Sequence, residues 1–289
     1  MACGRKICSG GRSRELGKVL TAEHFVAILE AMEKGVHKIA KLARTLLGPE
    51  NVHTIVEIGA KDCTETIGFA KYFPNARIYA FECNPATLPL CRERIKNTKN
   101  ITLIEKAVSD KNGEVSFFPI DQKNTITPWA DGNPGASSLL LASGKYKKET
   151  YVQKEVRVPS ITLNSFFKDH GIERVDFLWM DIQGAELMAL KGAGEALSRI
   201  KIIFSEVEFM EIHKDQPLFG DIKTYLNAHH FSLYDFANFG RYFGDAIFVN
   251  NALHGNAPYA RNNVVYPFYK YFWAYVLFLT RIPGKILRS

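Results

Sequence analysis

Short apolar runs alternate with helix-like stretches along most of the chain. The apolar runs are rich in Val, Ile and Phe, which is typical of buried strands, whereas the stretches between them space their apolar residues by three and four. The predicted strands are Thr54–Ile58, Arg77–Phe81, Ile101–Val108, Glu114–Phe118, Tyr151–Val158, Val175–Met180, Lys201–Val207, Phe231–Tyr234 and Asp245–Val249. The predicted helices are Pro85–Asn97, Thr162–His170, Ala185–Leu197 and Leu218–His229, with a further helix between the first two strands. This alternation predicts a mostly parallel, doubly wound α/β sheet that closes with a hairpin of two strands.

Four segments organise the chain around this core. Residues 1–20 are predicted to be a basic, flexible N-terminus, and residues 21–49 a helix whose apolar residues lie on one face. That helix is expected to pack on the sheet, with a dimerisation helix as the alternative. The α/β domain is predicted over 50–251, and it includes a long loop at 119–150, which is usually functional or mobile. Residues 252–289 form an aromatic and basic tail.

The net charge of +7 is concentrated at the two ends of the chain. Residues 1–14 and 246–289 contain nine basic residues and no acid, and the remainder contains 28 basic and 30 acidic residues. A domain that binds nucleic acid should carry its excess of basic residues on the surface of the folded domain. Nucleic acid is therefore not a favoured partner. Within the tail, the apolar run of residues 266–289 is too short to span a bilayer. This segment is predicted either to contact a membrane peripherally or to dock on the domain or on a second subunit.

Cysteine usage predicts a reducing compartment. The five cysteines are odd in number and form no C-x-x-C pair, which disfavours a disulfide framework and a zinc site. The first 20 residues lack an apolar signal segment. We therefore expect a cytoplasmic protein, peripheral on the membrane if the tail binds lipid.

Acidic residues lie at the tips of the first two predicted strands, where Glu57 precedes Gly59 and Glu82 ends the second strand. An open α/β sheet binds its ligand at the carboxyl ends of adjacent strands, where a glycine permits close approach and an acid accepts hydrogen bonds from a ribose diol. The turn lacks G-x-G-x-x-G, and its acids would repel a pyrophosphate. They suit the sulfonium and ammonium groups of S-adenosylmethionine (SAM). The alternative is an ordinary βαβ unit with an acid at each strand end by chance.

The chain from about Thr54 to Val249 resembles the FkbM family of SAM-dependent methyltransferases. The matching segments are VEIGA (56–60), YAFECNP (79–85), KAVSDKNGEVSF (106–117), GASSL (135–139), VRVPSITLNSF (156–166), VDFLWMDIQGAELMALKGA (175–193), FSEVEF (204–209) and GDAIFV (244–249). The DIQGAE segment and the acid that ends the second strand are a specific combination. The chain departs from the family pattern at Cys63, where a glycine is usual, and at Cys83, where proline is common.

This resemblance implies a Rossmann-like class I methyltransferase fold with a seven-stranded sheet and a final antiparallel strand. It implies SAM as the methyl donor, with Glu57 and Gly59 at its methionine end and Glu82 at its ribose. Residues 106–110 would flank the adenine, and Asp181 would face the methyl group. The full set of implied cofactor-binding residues is Glu57, Gly59, Ala60, Glu82, Cys83, Ala107, Val108 and Asp181.

Methyl transfer to an alcohol is helped by a group that takes the hydroxyl proton. Asp181, Glu206 and Glu208 are the predicted catalytic acids, while Gln183 and Glu186 are expected only to orient Asp181. As an alternative, Asp181, Glu206 and Asp245 hold Mg²⁺ or Mn²⁺, which acidifies the hydroxyl. A solvated or helix-capping acid is the alternative for Glu206, and His213 is expected to be an exposed loop histidine.

The resemblance favours the hydroxyl of a small molecule or glycan as the acceptor, and we expect a sugar in a glycan or glycolipid. Asp-Ile-Gln-Gly at 181–184 is not the Asn-Pro-Pro-aromatic signature of enzymes that methylate amino groups on bases. The alternatives are O-methylation of RNA ribose or of a polyketide-like molecule, and a non-catalytic SAM-binding scaffold associated with a membrane.

Overall fold

The computed structural model describes residues 22–256, and side chains are described for residues 35–253. The flexible N-terminus predicted over 1–20 and the membrane contact predicted for 266–289 lie outside the described residues. Within the described part of the chain, no helix is long and apolar enough to cross a membrane.

A seven-stranded sheet forms the centre of the domain, in the order β3-β2-β1-β7-β8-β10-β9. Its strands are β1 (Thr54–Ile58), β2 (Arg77–Phe81), β3 (Ile101–Ile104), β7 (Val175–Met180), β8 (Ile200–Glu208), β9 (Phe231–Phe239) and β10 (Phe243–Asn250). Neighbours pair in parallel from β3 to β8, and β10 pairs antiparallel with both β8 and β9. The predicted fold class, a mostly parallel sheet with a final antiparallel strand, is therefore confirmed.

Helices cover both faces of this sheet. They are α1 (Ala22–Leu47), α2 (Thr64–Tyr72), α3 (Leu88–Ile95), α4 (Leu163–Asp169), α5 (Glu186–Ala193) and α6 (Phe219–Ala228). Because successive strand residues point to opposite faces, β7 sends Phe177 and Trp179 to one core and Leu178 to the other. The first core contains the C-terminal half of α1 together with α2, and the second contains α4, α5 and α6.

The predicted strand Ile101–Val108 is wrong in one respect, because it divides into two strands in different sheets. β3 pairs with β2, but the chain then turns, with the Lys106 amide donating to the Ile104 carbonyl at 2.9 Å. Ala107–Val108 forms β4, which joins a second sheet with β5 (Gly113–Phe117) and β6 (Val156–Ile161) in the order β4-β6-β5. The charged residues Glu105 and Lys106 interrupt the apolar run at this break, and the predicted continuous strand ignored them.

The second sheet also corrects the predicted end of a strand at Pro159. β5 is Gly113–Phe117, and β6 is Val156–Ile161 instead of the predicted Tyr151–Val158. Residues 156–159 of β6 pair only with β5, because β4 pairs with Ser160 and Ile161. A proline is tolerated where one side of a strand has no partner.

The bounds of α3, α5 and β9 also differ from the prediction. α3 begins at Leu88 instead of Pro85, because the Asn84 side chain accepts the Ala86 amide at 3.0 Å and holds a turn ahead of the helix. α5 stops at Ala193 instead of Leu197, and the chain continues as a 3₁₀ helix over Gly194–Arg199. β9 continues to Phe239, beyond the predicted Tyr234.

Candidate functional site

A tight turn connects β1 to α2 and brings three strand ends together. The amides of Gly59 and Ala60 both donate to the Phe81 carbonyl, at 3.0 and 2.9 Å. Gly59 has φ +89°, and a Cβ at this position would lie 2.0 Å from the Asp181 carbonyl oxygen. Glycine is therefore required because β7 passes so closely, whereas the sequence alone suggested an approaching ligand.

Cys63 keeps the turn in the shape that a glycine would adopt. Its φ of +60° places it in the left-handed region, and its side chain is buried beside Cys91. The Cys91 thiol in turn donates to the Lys61 carbonyl at 3.1 Å. The turn therefore forms with cysteine at position 63, where the family usually has glycine.

Glu82 is held rigidly at the tip of β2. One carboxylate oxygen accepts the Lys61 amide at 2.7 Å, and the other accepts the amides of Cys83 and Asn84 at 2.8 and 2.6 Å. Burial raises the pKa of Glu82, and these three N–H groups oppose that shift. The fixed carboxylate therefore remains available as a hydrogen-bond acceptor at one end of a cleft.

This cleft, called the donor cleft here, opens beside the β1 turn. Six of the predicted cofactor-binding residues lie on its wall: Gly59, Glu82, Cys83, Ala107, Val108 and Asp181. Glu57 and Ala60 lie outside that wall. The Glu57 side chain is buried and accepts a hydrogen bond from the Thr66 hydroxyl, so it supports the turn from behind.

A second cavity, called the acceptor cavity here, adjoins the donor cleft. The two share Gly59, Lys61, Gly135 and Asp181. Its other polar and aromatic lining residues are Glu65, Trp129, Asn133, Tyr146, Glu149, Tyr151, Trp179, Gln183, Glu206, Glu208 and Phe243. Asp181 thus lies at the boundary between the two cavities.

The long loop predicted over 119–150 forms one wall of both cavities. The Ser138 hydroxyl donates to the Gln183 carbonyl at 2.8 Å, and the Glu149 carboxylate accepts the Asn133 amide group at 2.8 Å. Trp129 is 44% exposed at the rim. The sequence identified this loop as functional or mobile, but no periodic pattern identified its aromatic residues as cavity walls.

The predicted catalytic acids meet at the ends of β7 and β8. Glu206 and Glu208 project from the same face of β8, and the Gln183 amide group donates to both Asp181, at 2.9 Å, and Glu206. Gln183 therefore links Asp181 to Glu206 as well as orienting Asp181. Its backbone has a φ of +56°, in the left-handed region, and its side chain lines the acceptor cavity.

Burial dominates the electrostatics of these acids. It raises the pKa of Glu206 and of Glu208 well above the ordinary value, and neighbouring carboxylates add to the effect. Burial also raises the pKa of Glu186 to about 7 and that of Asp245 to about 7. Several acids in one low-dielectric site cannot all be charged at little cost, so this site favours shared protons or a bound cation.

The predicted metal-ligand set of Asp181, Glu206 and Asp245 needs correction. Among the described side chains, the acids whose oxygens come within 4.8 Å of one another are Glu186, Glu206 and Glu208. Gln183 lies between Asp181 and Glu206, and the Asn238 side chain bonds Asp245. Glu186 was expected only to orient Asp181, and nothing in its sequence position revealed its closeness to β8.

The expectation of an exposed His213 is wrong. Its side chain is fully buried, and its ring stacks on Tyr151 with centroids 6.2 Å apart. Neither ring nitrogen makes a hydrogen bond of good geometry, although the Ala136 backbone lies near enough to oppose part of the effect of burial on the pKa. A bridge between Ala142 and His213 holds it under the long loop. Burial lowers its pKa to about 4, so it is neutral near pH 7 and packs behind the acceptor cavity.

The sheet has the arrangement that the resemblance implied for class I methyltransferases, and its ligand edge carries an acid-anchored cleft. The fold and the site together define this class. The family model described as Methyltransferase FkbM domain matches residues 57–233, and the chain belongs to this family.

Two curated relatives cover part of the chain. It is 27% identical over 164 residues to 2-O-methyltransferase NoeI of Sinorhizobium fredii (strain NBRC 101917 / NGR234), a match that covers 56% of this chain and 66% of the relative. It is 26% identical over 161 residues to Methyltransferase sdnD of Sordaria araneosa, covering 49% and 60%. The chain therefore spans less than two thirds of the length of either relative.

Solved structures with similar folds include two with the cofactor or its product bound. Fibrillarin of Aeropyrum pernix with S-adenosyl-L-methionine is 14% identical, with a TM-score of 0.39 and coverage of 75% of this chain and 76% of that one. TrmK of M. capricolum with S-adenosyl-homocysteine is 13% identical, with a TM-score of 0.41 and coverage of 75% and 67%.

Proposed function

We propose that the chain is a SAM-dependent O-methyltransferase that acts on a sugar hydroxyl in a glycan or glycolipid. The observation that carries the proposal is the junction of the two cavities at Gly59 and Asp181. One cavity has the features of a nucleoside site, and the other has aromatic and acidic walls. A transfer reaction needs its two reactants to meet at such a junction.

The residues of the donor cleft fit the parts of SAM. Glu82 offers a carboxylate, fixed by three backbone amides, to the ribose hydroxyls. Ala107, Val108 and Phe117 give an apolar wall for the adenine. When bound, SAM supplies an already activated methyl group, so the protein contributes alignment and the exclusion of water.

The acceptor cavity suits a sugar. Trp129, Tyr146 and Tyr151 provide flat apolar surfaces for the C–H face of a pyranose ring. Glu149 and Glu206 provide carboxylates that accept hydrogen bonds from hydroxyl groups. Similarity to a relative named as a 2-O-methyltransferase supports oxygen as the accepting atom.

Asp181 is the proposed base for the acceptor hydroxyl. It lies on the wall of both cavities, and Gln183 fixes its orientation through a hydrogen bond of 2.9 Å. A carboxylate within hydrogen-bond reach of the hydroxyl takes its proton as the oxygen attacks. Glu206, joined to the same amide group, holds the position of Gln183.

Transfer of a radiolabelled methyl group from SAM to a panel of glycans, RNA and polyketide-like alcohols tests the proposal. We expect label in glycans alone, lost in Asp181→Asn while SAM still binds. Asp169→Asn, an exposed acid at the end of α4, is the matched control and should retain activity. Label in RNA would overturn the sugar assignment. Full activity of Asp181→Asn would show that Asp181 is not the base for the acceptor hydroxyl.

A further inference from the structure

Three acids from two elements converge behind the acceptor cavity. Glu206 and Glu208 come from β8, and Glu186 comes from the first turn of α5. Each offers an oxygen, and the three oxygens lie within 4.8 Å of one another. Within the described part of the chain, these residues form the only such group of three or more acidic, histidine or cysteine residues.

Two of these acids have oxygens with no partner. Glu186 is 0% exposed: one of its oxygens accepts the Ile182 amide at 2.9 Å, and the other accepts no hydrogen bond. Glu208 is 2% exposed, and its Oε2 likewise accepts none. Buried polar atoms are almost always satisfied, so orphaned oxygens of this kind indicate a group that bonds them.

No basic side chain among residues 35–253 forms an ion pair with the cluster of Glu186, Glu206 and Glu208. An isolated buried carboxylate is costly, and such groups are normally paired with a cation or coordinate a metal. Among the described residues the cluster therefore lacks a compensating positive charge, which a bound cation would supply.

The spacing of the oxygens matches a hard divalent cation. Metal–oxygen distances of about 2.1 Å for Mg²⁺ and up to about 2.6 Å for Ca²⁺ place adjacent ligands about 3–3.7 Å apart and opposite ligands about 4–5 Å apart. Three oxygens within 4.8 Å of one another are therefore close enough to converge on one ion after small side-chain rotations. Carboxylate oxygens are the ligands that Mg²⁺, Mn²⁺ and Ca²⁺ prefer.

We propose that Glu186, Glu206 and Glu208 bind one divalent cation of the Mg²⁺, Mn²⁺ or Ca²⁺ type. Glu206 and Glu208 also line the acceptor cavity, so the ion would lie on the acceptor side of Asp181. There it would attract an acceptor hydroxyl and increase its acidity, a role that rests on the proposed function. Binding of the ion itself rests only on the geometry of the cluster.

Titration of the purified full-length protein with Mn²⁺, followed by the electron paramagnetic resonance signal of free Mn²⁺, tests the site without SAM or acceptor. We expect one ion per chain, an affinity at least tenfold weaker in Glu186→Gln and in Glu208→Gln, and no change in Glu93→Gln. Glu93 is a matched control because it is exposed on α3. Competition with Mg²⁺ and with Ca²⁺ then identifies the preferred ion.

A stability measurement guards against variants that misfold. Mn²⁺ should raise the melting temperature of the wild type and of Glu93→Gln, but not that of Glu208→Gln, because a ligand stabilises only the state that binds it. Absence of saturable Mn²⁺ binding to the folded wild type would overturn the proposal. So would unchanged Mn²⁺ affinity in both glutamine variants of the cluster.

Discussion

His213 should make the stability of this domain sensitive to acid. Its ring is fully buried against Tyr151, and neither nitrogen makes a hydrogen bond of good geometry. Burial lowers its pKa from 6.5 to about 4. Between these values the unfolded chain binds a proton at this histidine and the folded chain does not. The contribution of His213 to the free energy of unfolding therefore falls as the pH falls from 6.5 toward 4.

The size of this effect follows from the two pKa values. One pKa unit corresponds to about 1.36 kcal/mol, so the gap between 6.5 and about 4 corresponds to roughly 3 kcal/mol over the whole range. Between pH 8 and pH 5 the loss is about 2 kcal/mol, because the unfolded histidine is then almost fully protonated and the folded one is still neutral. Phenylalanine keeps the stacked ring and removes the titrating group.

Urea denaturation of the wild type, His213→Phe and His229→Phe at pH 8 and pH 5 measures this difference. His229 is an exposed histidine and serves as the matched control. Between pH 8 and pH 5, we expect the free energy of unfolding to fall by about 2 kcal/mol less in His213→Phe than in the wild type. In His229→Phe it should fall by as much as in the wild type. Equal losses in the wild type and His213→Phe would refute the account of a buried neutral histidine.

Three further predictions concern the site. Gly59→Ala places a Cβ 2.0 Å from the Asp181 carbonyl at a φ of +89°, so we expect a destabilisation of at least 2 kcal/mol in thermal unfolding and weakened SAM binding. Unchanged stability would contradict the close approach. Glu82→Gln should weaken SAM binding at least tenfold in calorimetry, because the carboxylate that accepts hydrogen bonds from the two ribose hydroxyls is lost. Trp129→Ala should raise the acceptor KM several-fold with little change in SAM affinity, and an unchanged KM would remove Trp129 from the acceptor site.

The fold was predictable because its strands are short, apolar and separated by turn residues. The strand Val175–Met180 was predicted with its observed bounds, since buried parallel strands are continuous apolar runs. The charged residues Glu105 and Lys106 mark the break between β3 and β4, but the pairing of Ala107 with Ser160 that moves β4 to the second sheet comes from a distant segment and was not predictable.

The candidate site residues that lie at the ends of strands could be identified from the sequence. Glu82, Asp181 and Glu206 all come at or near the carboxyl end of a strand, and the parallel sheet brings such ends to one edge. His213 and Glu186 were misjudged because their environment comes from distant segments. The bridge to Ala142 buries His213, and β8 approaches the start of α5 beside Glu186. Local sequence does not encode either contact.

The central claim is that the donor cleft binds SAM through Glu82. Calorimetric titration of the wild type and Glu82→Ala with SAM, and of the wild type with NAD, tests it most directly. We predict saturable SAM binding to the wild type, no NAD binding, and a SAM affinity reduced at least tenfold in Glu82→Ala. Failure of the folded wild type to bind SAM, or equal affinity in the two proteins, would contradict the account.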